Sequence, residues 1–224
     1  LQFNEKLART GAEDFIRLYL KSSLGMKALV EGEDHRFGFK SEGDMKLHKN
    51  LSTIYEYDII LVPTFHINGY PVKSGKIREL IEKGEIVQAK RMLGGGYIIK
   101  GKVVPGDKIG RKLGFPTANI SVCEDKLLPA DGVYLVKTTI NSTTYHGLLY
   151  IGYRPTITDK KEKRTELYLF NFNGELYNLA LKVELIMKIR EDRYFEDIQL
   201  LRKQMEEDRT YAMKLIKGPG GIND

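Results

Sequence analysis

Residues 110–120 combine glycines, basic side chains and small polar side chains in one short segment, GRKLGFPTANI. Gly110 and Gly114 allow the backbone to approach an anionic ligand closely, because glycine carries no side chain. Arg111 and Lys112 supply positive charge beside these glycines, as phosphate groups require. The composition of this segment therefore predicts a loop that binds nucleotide phosphates.

Two small polar side chains follow the glycines of this segment. Thr117 and Asn119 carry neutral oxygens that suit a hydrated Mg²⁺. The segment has neither the Lys-Ser/Thr ending of a Walker loop nor the spacing of a dinucleotide-binding fingerprint, so these common nucleotide folds are not indicated. The alternative interpretation is a simple turn, in which Pro116 fixes φ and the two polar side chains bond to nearby backbone.

Residues 110–119 resemble the signature of riboflavin kinases, whose core is a small antiparallel β-barrel. Further segments resemble that family in the same order along the chain, namely residues 131–134, 151–156, 165–169, 176–177, 188–190 and Phe195. The resemblance implies phosphorylation of riboflavin to FMN, with ATP and riboflavin as substrates and Mg²⁺ as the metal ion.

The resemblance also implies roles for individual residues. Glu166 would accept the proton of the ribityl hydroxyl, and Arg111 would stabilise phosphate charge as the second catalytic residue. Thr117 and Asn119 would hold Mg²⁺ directly or through water. Without the resemblance, Glu166 would be interpreted as a solvent-facing strand carboxylate. The expected ATP-binding residues are Gly106, Lys108, Gly110, Arg111, Lys112, Gly114, Phe115, Pro116 and Thr117.

The flavin-binding residues are expected to be Tyr153, Arg190 and Phe195, because aromatic and guanidinium faces stack on planar rings. Phe195 could instead belong to the core, and Arg190 could form a structural ion pair. Tyr150 stands where the family usually has Asn before Ile-Gly. We expect this difference to alter packing or affinity and to leave activity in place.

Residues 1–93 resemble a different module, the adenylyltransferase half of bacterial bifunctional riboflavin kinase/FAD synthetases. The matching segments are residues 3–8 with Phe15, residues 32–38 and residues 72–78. Asp34, Ser74 and Arg78 match site positions of that module, although capping or packing would explain them equally well. His35 stands where the family has Phe. The chain begins at Leu1 without the family's His-x-Gly-His element, so we expect a fragment that does not make FAD, although an intact form would adenylylate FMN.

Composition fits an ordinary enzyme with anionic substrates. The 224 residues carry a formal net charge of +6 and are 42% hydrophobic, which is enough for one large or two modest cores. One cysteine, no membrane-length apolar run and no signal-peptide pattern favour the cytoplasm. The densest basic run, residues 160–164, lacks interleaved aromatics and indicates a solvated loop and no nucleic-acid partner. The four histidines show no ligand spacing.

The periodicity of the chain predicts an α+β protein of two modules. Residues 1–93 would form a partial Rossmann-like α/β nucleotidyltransferase domain, with helices over 12–24 and 77–93 and strands over 27–30 and 58–62. Residues 94–98 would form a linker and 218–224 a tail. Residues 99–217 would form a small antiparallel β-barrel with a C-terminal helix over 195–216. Its expected strands lie at residues 97–104, 133–140, 145–152, 166–172 and 179–189.

Two other classes of function stay open at this point. A basic small barrel is also the fold of oligonucleotide-binding modules, which need exposed aromatics on one face. A flavin-binding or scaffolding protein without turnover would result if Arg111, Asn119 or Glu166 were misplaced.

Overall fold

The computed structural model describes residues 1–106, 110, 113–153 and 163–218. The chain divides into two compact units, Leu1–Val72 and Lys73–Asp224. This division lies about twenty residues before the module boundary at residue 93 that the sequence predicts. The module boundaries, with their linker and tail, stay a prediction.

The first unit contains a parallel βαβ arrangement. Strand β1 pairs with strand β2 from Ala28↔Asp58 to Gly32↔Val62, and α3 connects them with Asp44 as its N-cap. Parallel strands joined through a helix agree with the predicted nucleotidyltransferase-like α/β fold. The elements are α1 (Glu5–Ala8), α2 (Ala12–Asp14), a π-helical stretch (Phe15–Ser23), β1 (Ala28–Gly32), a 3₁₀ turn (Phe39–Ser41), α3 (Met45–Tyr55), β2 (Asp58–Val62), β3 (His66–Ile67) and β4 (Tyr70–Pro71).

A buried polar pair lies in this first unit beside the apolar cluster of Ile16, Leu51 and Tyr57. The Glu31 carboxylate accepts hydrogen bonds from His48 Nδ1 at 2.6 Å and from His35 Nδ1 at 2.9 Å. Glu31 and His48 are both buried, so this bonding compensates part of the cost of removing them from water.

Two helices open the second unit. The sequence predicts one helix over residues 77–93, but the structure has α4 (Ser74–Glu82) and α5 (Ile86–Leu93) instead. The single-helix prediction was wrong because Gly84 adopts φ +76°, a left-handed conformation that ends a helix. Leu80, Ile81 and Ala89 pack together, and Ile86 enters the core of the barrel.

Six antiparallel strands form a closed barrel in the order β10-β5-β6-β9-β8-β7, which confirms the predicted architecture. The sequence predicts five of these strands and misses β6, because its first residues belong to the segment whose composition indicates phosphate binding. The strands are β5 (Tyr97–Val104), β6 (Ala118–Val122), β7 (Gly132–Ile140), β8 (Thr143–Tyr153), β9 (Lys163–Leu169) and β10 (Ala180–Glu191).

The barrel has an inner and an outer apolar face. The inner face forms one core that includes Ile99, Tyr134, Leu149 and Leu167. The outer face of β7, β8 and β10 packs against helix α6 (Ile198–Lys217), where Ala212 is fully buried. This helix confirms the prediction for residues 195–216. Among the described residues, no helix is long and apolar enough to cross a membrane.

Candidate active site

Glu166 lies near the middle of β9 and faces outward from the barrel. Its neighbours Thr165 and Leu167 are buried, whereas Glu166 itself is half-buried, as the alternation of a strand requires. Asn119 of β6 lies directly opposite Glu166 on one side, and Tyr150 of β8 lies directly opposite it on the other. Directly opposed residues of antiparallel strands share a face, so these three side chains are neighbours.

The same row continues across two more strands. Tyr150 is opposite Val133 of β7, and Val133 is opposite Arg190 of β10. A register shift between Lys188 and Arg190 precedes this last pairing. We call Asn119, Glu166, Tyr150, Val133 and Arg190 the outer row. Neighbouring strands lie about 4.8 Å apart, so Glu166 and Arg190 are separated by about 14 Å along the sheet.

Thr117 completes the Glu166 end of the outer row. Its Oγ1 donates a hydrogen bond to Glu166 Oε2 at 3.3 Å, and the residue lies immediately before β6. Thr117, Asn119 and Glu166 therefore offer two neutral oxygens and a carboxylate in one place. This set of donors fits Mg²⁺, which takes few protein ligands and keeps several waters or phosphate oxygens. The described residues hold no cluster of three or more His, Cys, Asp or Glu suited to a metal ion.

Two glycines pack against these polar side chains. A Cβ at Gly106 would collide with the Asn119 side chain, whose Cγ would lie at 2.6 Å. A Cβ at Gly110 would lie 3.0 Å from Thr117 Oγ1 and would also collide with the carbonyl oxygen of Phe115. The Phe115 amide donates to the Gly110 carbonyl at 2.8 Å and closes the turn. Both glycines are therefore needed to seat Asn119 and Thr117.

The remaining predicted ATP-binding residues differ in burial, and some of them lie outside the described residues. Gly114 is exposed with φ +86°, and Pro116 is exposed beside it. Phe115 is buried, with its ring edge-on to Tyr168 at 5.3 Å between centroids, so it packs the loop onto the barrel. Lys108, Arg111 and Lys112 lie outside the described residues, and Arg111 therefore stays a prediction as a catalytic residue.

At the Arg190 end of the outer row, charged and polar side chains form a hydrogen-bonded network. Arg190 Nε donates to both Asp208 oxygens, at 3.0 and 2.8 Å, and Asp208 is buried on α6. Gln204 Nε2 also donates to Asp208 at 2.7 Å, and Arg193 donates to Gln204. Sequence reasoning missed Asp208, Gln204 and Arg193, although the i, i+4 spacing of Gln204 and Asp208 places them on one helix face.

This network holds two guanidinium groups against one aromatic ring. Arg190 Cζ lies 5.8 Å from the Phe195 ring centroid, and Arg193 Cζ lies 4.6 Å from it. An open cavity of about 430 Å³ adjoins this ring, within the range for small-molecule sites. Its lining residues are Arg193, Tyr194, Phe195, Glu196, Leu200, Lys203, Gln204 and Glu207.

The structure brings two of the three predicted flavin residues together and leaves the third apart. Arg190 and Phe195 meet at the cavity end of the outer row. Tyr153 ends β8, is 43% exposed and has Lys163 Nζ at 5.9 Å from its ring, and it does not line the cavity. A role of Tyr153 in flavin binding stays a prediction.

Tyr150 contacts the segment after β10 through its hydroxyl, which donates to Asp192 Oδ2 at 3.2 Å. Burial of the phenol, followed by the nearby Asp192 carboxylate, raises the pKa of Tyr150. A Cβ at Gly152 would collide with the phenol oxygen and would lie 2.6 Å from Cζ. Gly152 therefore provides the space that the Tyr150 ring occupies.

The residues matched to an adenylyltransferase site fall in different compact units. Asp34 follows β1 in the first unit, whereas Ser74 and Arg78 lie on α4 in the second unit. Lys73 is the N-cap of α4, so Ser74 does not cap this helix. His35, which stands in place of the family's Phe, bonds to Glu31. The proposed role of Asp34, Ser74 and Arg78 stays a prediction.

Comparison with known proteins gives matches over both units. The family model described as riboflavin kinase matches residues 93–216, and the one described as FAD synthetase matches residues 1–76. The bifunctional riboflavin kinase/FMN adenylyltransferase of Buchnera aphidicola subsp. Schizaphis graminum is 36% identical over 218 residues, which are 96% of this chain and 69% of that protein. Its Bacillus subtilis counterpart is 35% identical, covering 96% of this chain and 68% of that protein.

A solved structure has the same overall fold. A crystal structure from Streptococcus pneumoniae described as a macrolide-efflux protein superposes with a TM-score of 0.84 at 30% identity, covering 95% of this chain and 68% of that chain. The antiparallel barrel agrees with the riboflavin kinase model, which matches more than half of the chain, and with the identity to these relatives. The chain belongs to the bifunctional riboflavin kinase/FMN adenylyltransferase family.

Proposed function

We infer that this chain transfers the γ-phosphoryl group of ATP to the terminal ribityl hydroxyl of riboflavin and so produces FMN. The observation that carries this conclusion is the meeting of Thr117, Asn119 and Glu166 on the outer face of the barrel. Family membership supplies riboflavin and ATP as the substrates. The arrangement of the outer row supports the following roles for individual residues in this proposal.

Glu166 acts as the general base in this proposal. Phosphoryl transfer asks the protein mainly to position its reactants, to stabilise charge and to accept the proton of the attacking hydroxyl. The Glu166 carboxylate would accept that proton when the ribityl oxygen lies within about 3 Å of it. The hydrogen bond from Thr117 Oγ1 orients the carboxylate, and its half-buried position limits competition from water.

Thr117 and Asn119 would hold Mg²⁺ beside the base. The bound ion would neutralise phosphate charge during transfer. Gly106 and Gly110 keep the two side chains in place, because any Cβ at either position would displace them. The predicted ATP contacts of Lys108, Arg111 and Lys112 would supply further positive charge, in line with the chemistry of the loop.

Phe195 would carry the flavin ring at the other end of the outer row. Its ring lies beside the 430 Å³ cavity, and Arg190 and Arg193 lie against it. An aromatic wall with fixed guanidinium groups suits a planar, polar heterocycle. With the ring at this end, the ribityl chain would point its terminal hydroxyl toward Glu166.

Turnover of riboflavin with ATP and Mg²⁺ by the full chain tests this function, with FMN and FAD separated by chromatography. We expect FMN to accumulate in proportion to the ATP consumed. FAD in the same chromatogram would report adenylylation, which the names of the relatives include. Tight riboflavin binding without FMN formation would contradict the proposal and support the alternative of a non-catalytic flavin-binding protein.

A further inference from the structure

Tyr168 is the next outward-facing residue of β9 after Glu166, because side chains alternate along a strand. The ladder between β6 and β9 pairs Asn119 with Glu166. Two residues before Asn119 and two residues after Glu166, the continuation of this ladder sets Thr117 beside Tyr168. On its other side, Tyr168 lies opposite Leu148 of β8, within the apolar cluster that α6 covers. Tyr168 therefore borders both the candidate metal and base site and the packed outer face of the barrel.

The ring of Tyr168 contacts the loop that leads into β6. Phe115 of this loop meets Tyr168 edge-on with 5.3 Å between ring centroids, and Tyr168 meets Phe170 edge-on at 5.7 Å. Phe115 and Phe170 are both buried, and Phe170 belongs to the cluster under α6. Tyr168 is thus the middle one of three rings that join the loop to the barrel, and such edge contacts stabilise beyond their buried area.

A short, stiff connection joins Phe115 to Thr117. Only Pro116 separates them, and its ring restricts its own φ, so a displacement of Phe115 is passed on to Thr117. The backbone of Phe115 is held as well, because its amide donates to the Gly110 carbonyl at 2.8 Å. The position of the Thr117 hydroxyl therefore depends on the contact between Phe115 and Tyr168.

Resting on the riboflavin kinase function proposed above, we propose that Tyr168 is a positioning residue for the phosphoryl donor. Its ring holds Phe115 and, through Phe115, the Thr117 hydroxyl that would bind Mg²⁺ with ATP. A loop that is already ordered binds its ligand without the entropic cost of ordering. Loss of the Tyr168 ring therefore weakens the binding of Mg²⁺ and ATP together and leaves the binding of riboflavin unchanged.

The test measures the binding of Mg²⁺·ATP by titration calorimetry without riboflavin, so that it does not depend on turnover. The KM values for ATP and riboflavin are measured in parallel, with thermal unfolding of each variant. Tyr168→Leu removes the ring and keeps an apolar side chain under α6, whereas Tyr168→Phe keeps the ring. Phe115→Leu removes the facing ring and leaves the cluster under α6 intact.

Tyr145→Leu is the matched control. Tyr145 meets Phe172 edge-on with 5.1 Å between ring centroids, so this substitution removes the same kind of contact from the barrel. Tyr145 lies five residues before Tyr150 on β8, and Tyr150 is opposite Glu166. The control is therefore about 17 Å along the strand from the candidate base.

We expect Tyr168→Leu and Phe115→Leu each to raise the dissociation constant of Mg²⁺·ATP and the KM for ATP by about two- to tenfold, the effect of one lost aromatic contact. The double variant should bind no more weakly than either single variant, because both remove the same contact. The kcat and the KM for riboflavin should stay near their wild-type values, since saturating ligand restores the ordered loop. Tyr168→Phe and Tyr145→Leu should bind Mg²⁺·ATP like the wild-type chain.

Three outcomes would overturn this role of Tyr168. Unchanged Mg²⁺·ATP affinity in Tyr168→Leu would separate the residue from donor binding. An equal loss in Tyr145→Leu would indicate a general loosening of the barrel and assign Tyr168 a structural role. A loss in Tyr168→Phe as large as in Tyr168→Leu would attribute the effect to the hydroxyl and contradict the ring contact. Failure of the kinase function is distinguishable, because the wild-type chain would then bind Mg²⁺·ATP without forming FMN, and calorimetry on the variants would still decide the role of Tyr168.

Discussion

Asn119 and Glu166 lie directly opposite each other on β6 and β9, so one ladder of the barrel places a candidate metal ligand beside the candidate base. Thr117 joins them from the loop before β6. Asn119 and Glu166 are fixed to paired strands of the closed barrel, and Thr117 lies at the entry to β6, so the strand pairing sets their relative positions. This arrangement accounts for the placement of the GRKLGFPTANI segment just before and within β6.

Replacement of Thr117 tests its contact with Glu166. Thr117→Val removes the donor to Glu166 Oε2 and one neutral oxygen. We expect kcat to fall by at least about tenfold, since a hydrogen bond to a carboxylate contributes about 1.5 kcal/mol or more. The Mg²⁺ concentration needed for half-maximal rate should rise as well. Thr117→Ser keeps the hydroxyl and is the control, and an equal loss in both variants would contradict the role of the hydroxyl.

Replacement of Gly106 tests whether Asn119 must stay where the structure places it. The Cβ of Gly106→Ala would collide with the Asn119 side chain. We expect steady-state turnover to fall by more than about tenfold, equivalent to about 1.4 kcal/mol in the barrier. Gly95→Ala is the matched control, because a Cβ there meets nothing within 4 Å. Equal activity of the two variants would show that Asn119 can move without consequence.

Removal of Asp208 tests the network that holds Arg190. Asp208→Ala leaves the Arg190 guanidinium, whose side chain is only 18% exposed, without its carboxylate. Breaking a buried pair on one side costs about 3 kcal/mol in the free energy of unfolding, measured by urea denaturation. The affinity for riboflavin should fall together with stability, because Arg190 lies against Phe195.

Glu206→Ala on the same helix provides the control for Asp208. Glu206 pairs with Arg209 at 3.3 Å, and both side chains are well exposed. Exposed pairs of this kind contribute less than about 1 kcal/mol. A stability loss of the same size in both variants would mean that Asp208 is no more important than a surface carboxylate.

Alkaline pH should destabilise the first unit through Tyr57. Burial, and then the Glu31 carboxylate, raise the pKa of Tyr57 from 10.0 to about 12. The folded chain therefore keeps the phenol neutral where the unfolded chain ionises it. The contribution of the neutral Tyr57 phenol to the free energy of unfolding is fully present below pH 10. It is lost as the pH rises through about 12, because ionisation then favours the unfolded chain.

Urea denaturation of the wild-type chain and of Tyr57→Phe at pH 8 and pH 11 measures this effect by circular dichroism. The variant should lose less stability than the wild-type chain between the two pH values, because Phe does not ionise. The same pH dependence in both proteins would show that Tyr57 does not contribute.

Local sequence patterns predict much of this fold. Five barrel strands and α6 follow from alternation and helical spacing, and β1 and β2 follow from short apolar runs. Strand β6 is missed because it is short and because Asn119 within it, like Thr117 just before it, indicates a binding loop by its chemistry. The break at Gly84 was also missed, since an isolated glycine inside a helical pattern is compatible with a continuous helix.

The sequence predicts less of the candidate site than of the fold. Family resemblance predicts Glu166, Thr117 and Asn119, but the outer row depends on the registers of five strands, which no local pattern specifies. The link from Arg190 to Asp208 joins residues of different elements, and the contact between Tyr150 and Asp192 spans 42 positions. Periodicity within one element contains no information about such pairs.

The most direct measurement is FMN formation by the wild-type chain and by Glu166→Gln under saturating ATP, riboflavin and Mg²⁺, with Glu82→Gln as an exposed control. Glu166→Gln keeps the shape of the side chain and removes its ability to accept a proton. We predict a loss of kcat of about 100-fold or more, with the dissociation constants of both substrates nearly unchanged. Wild-type turnover by Glu166→Gln would contradict Glu166 as the base.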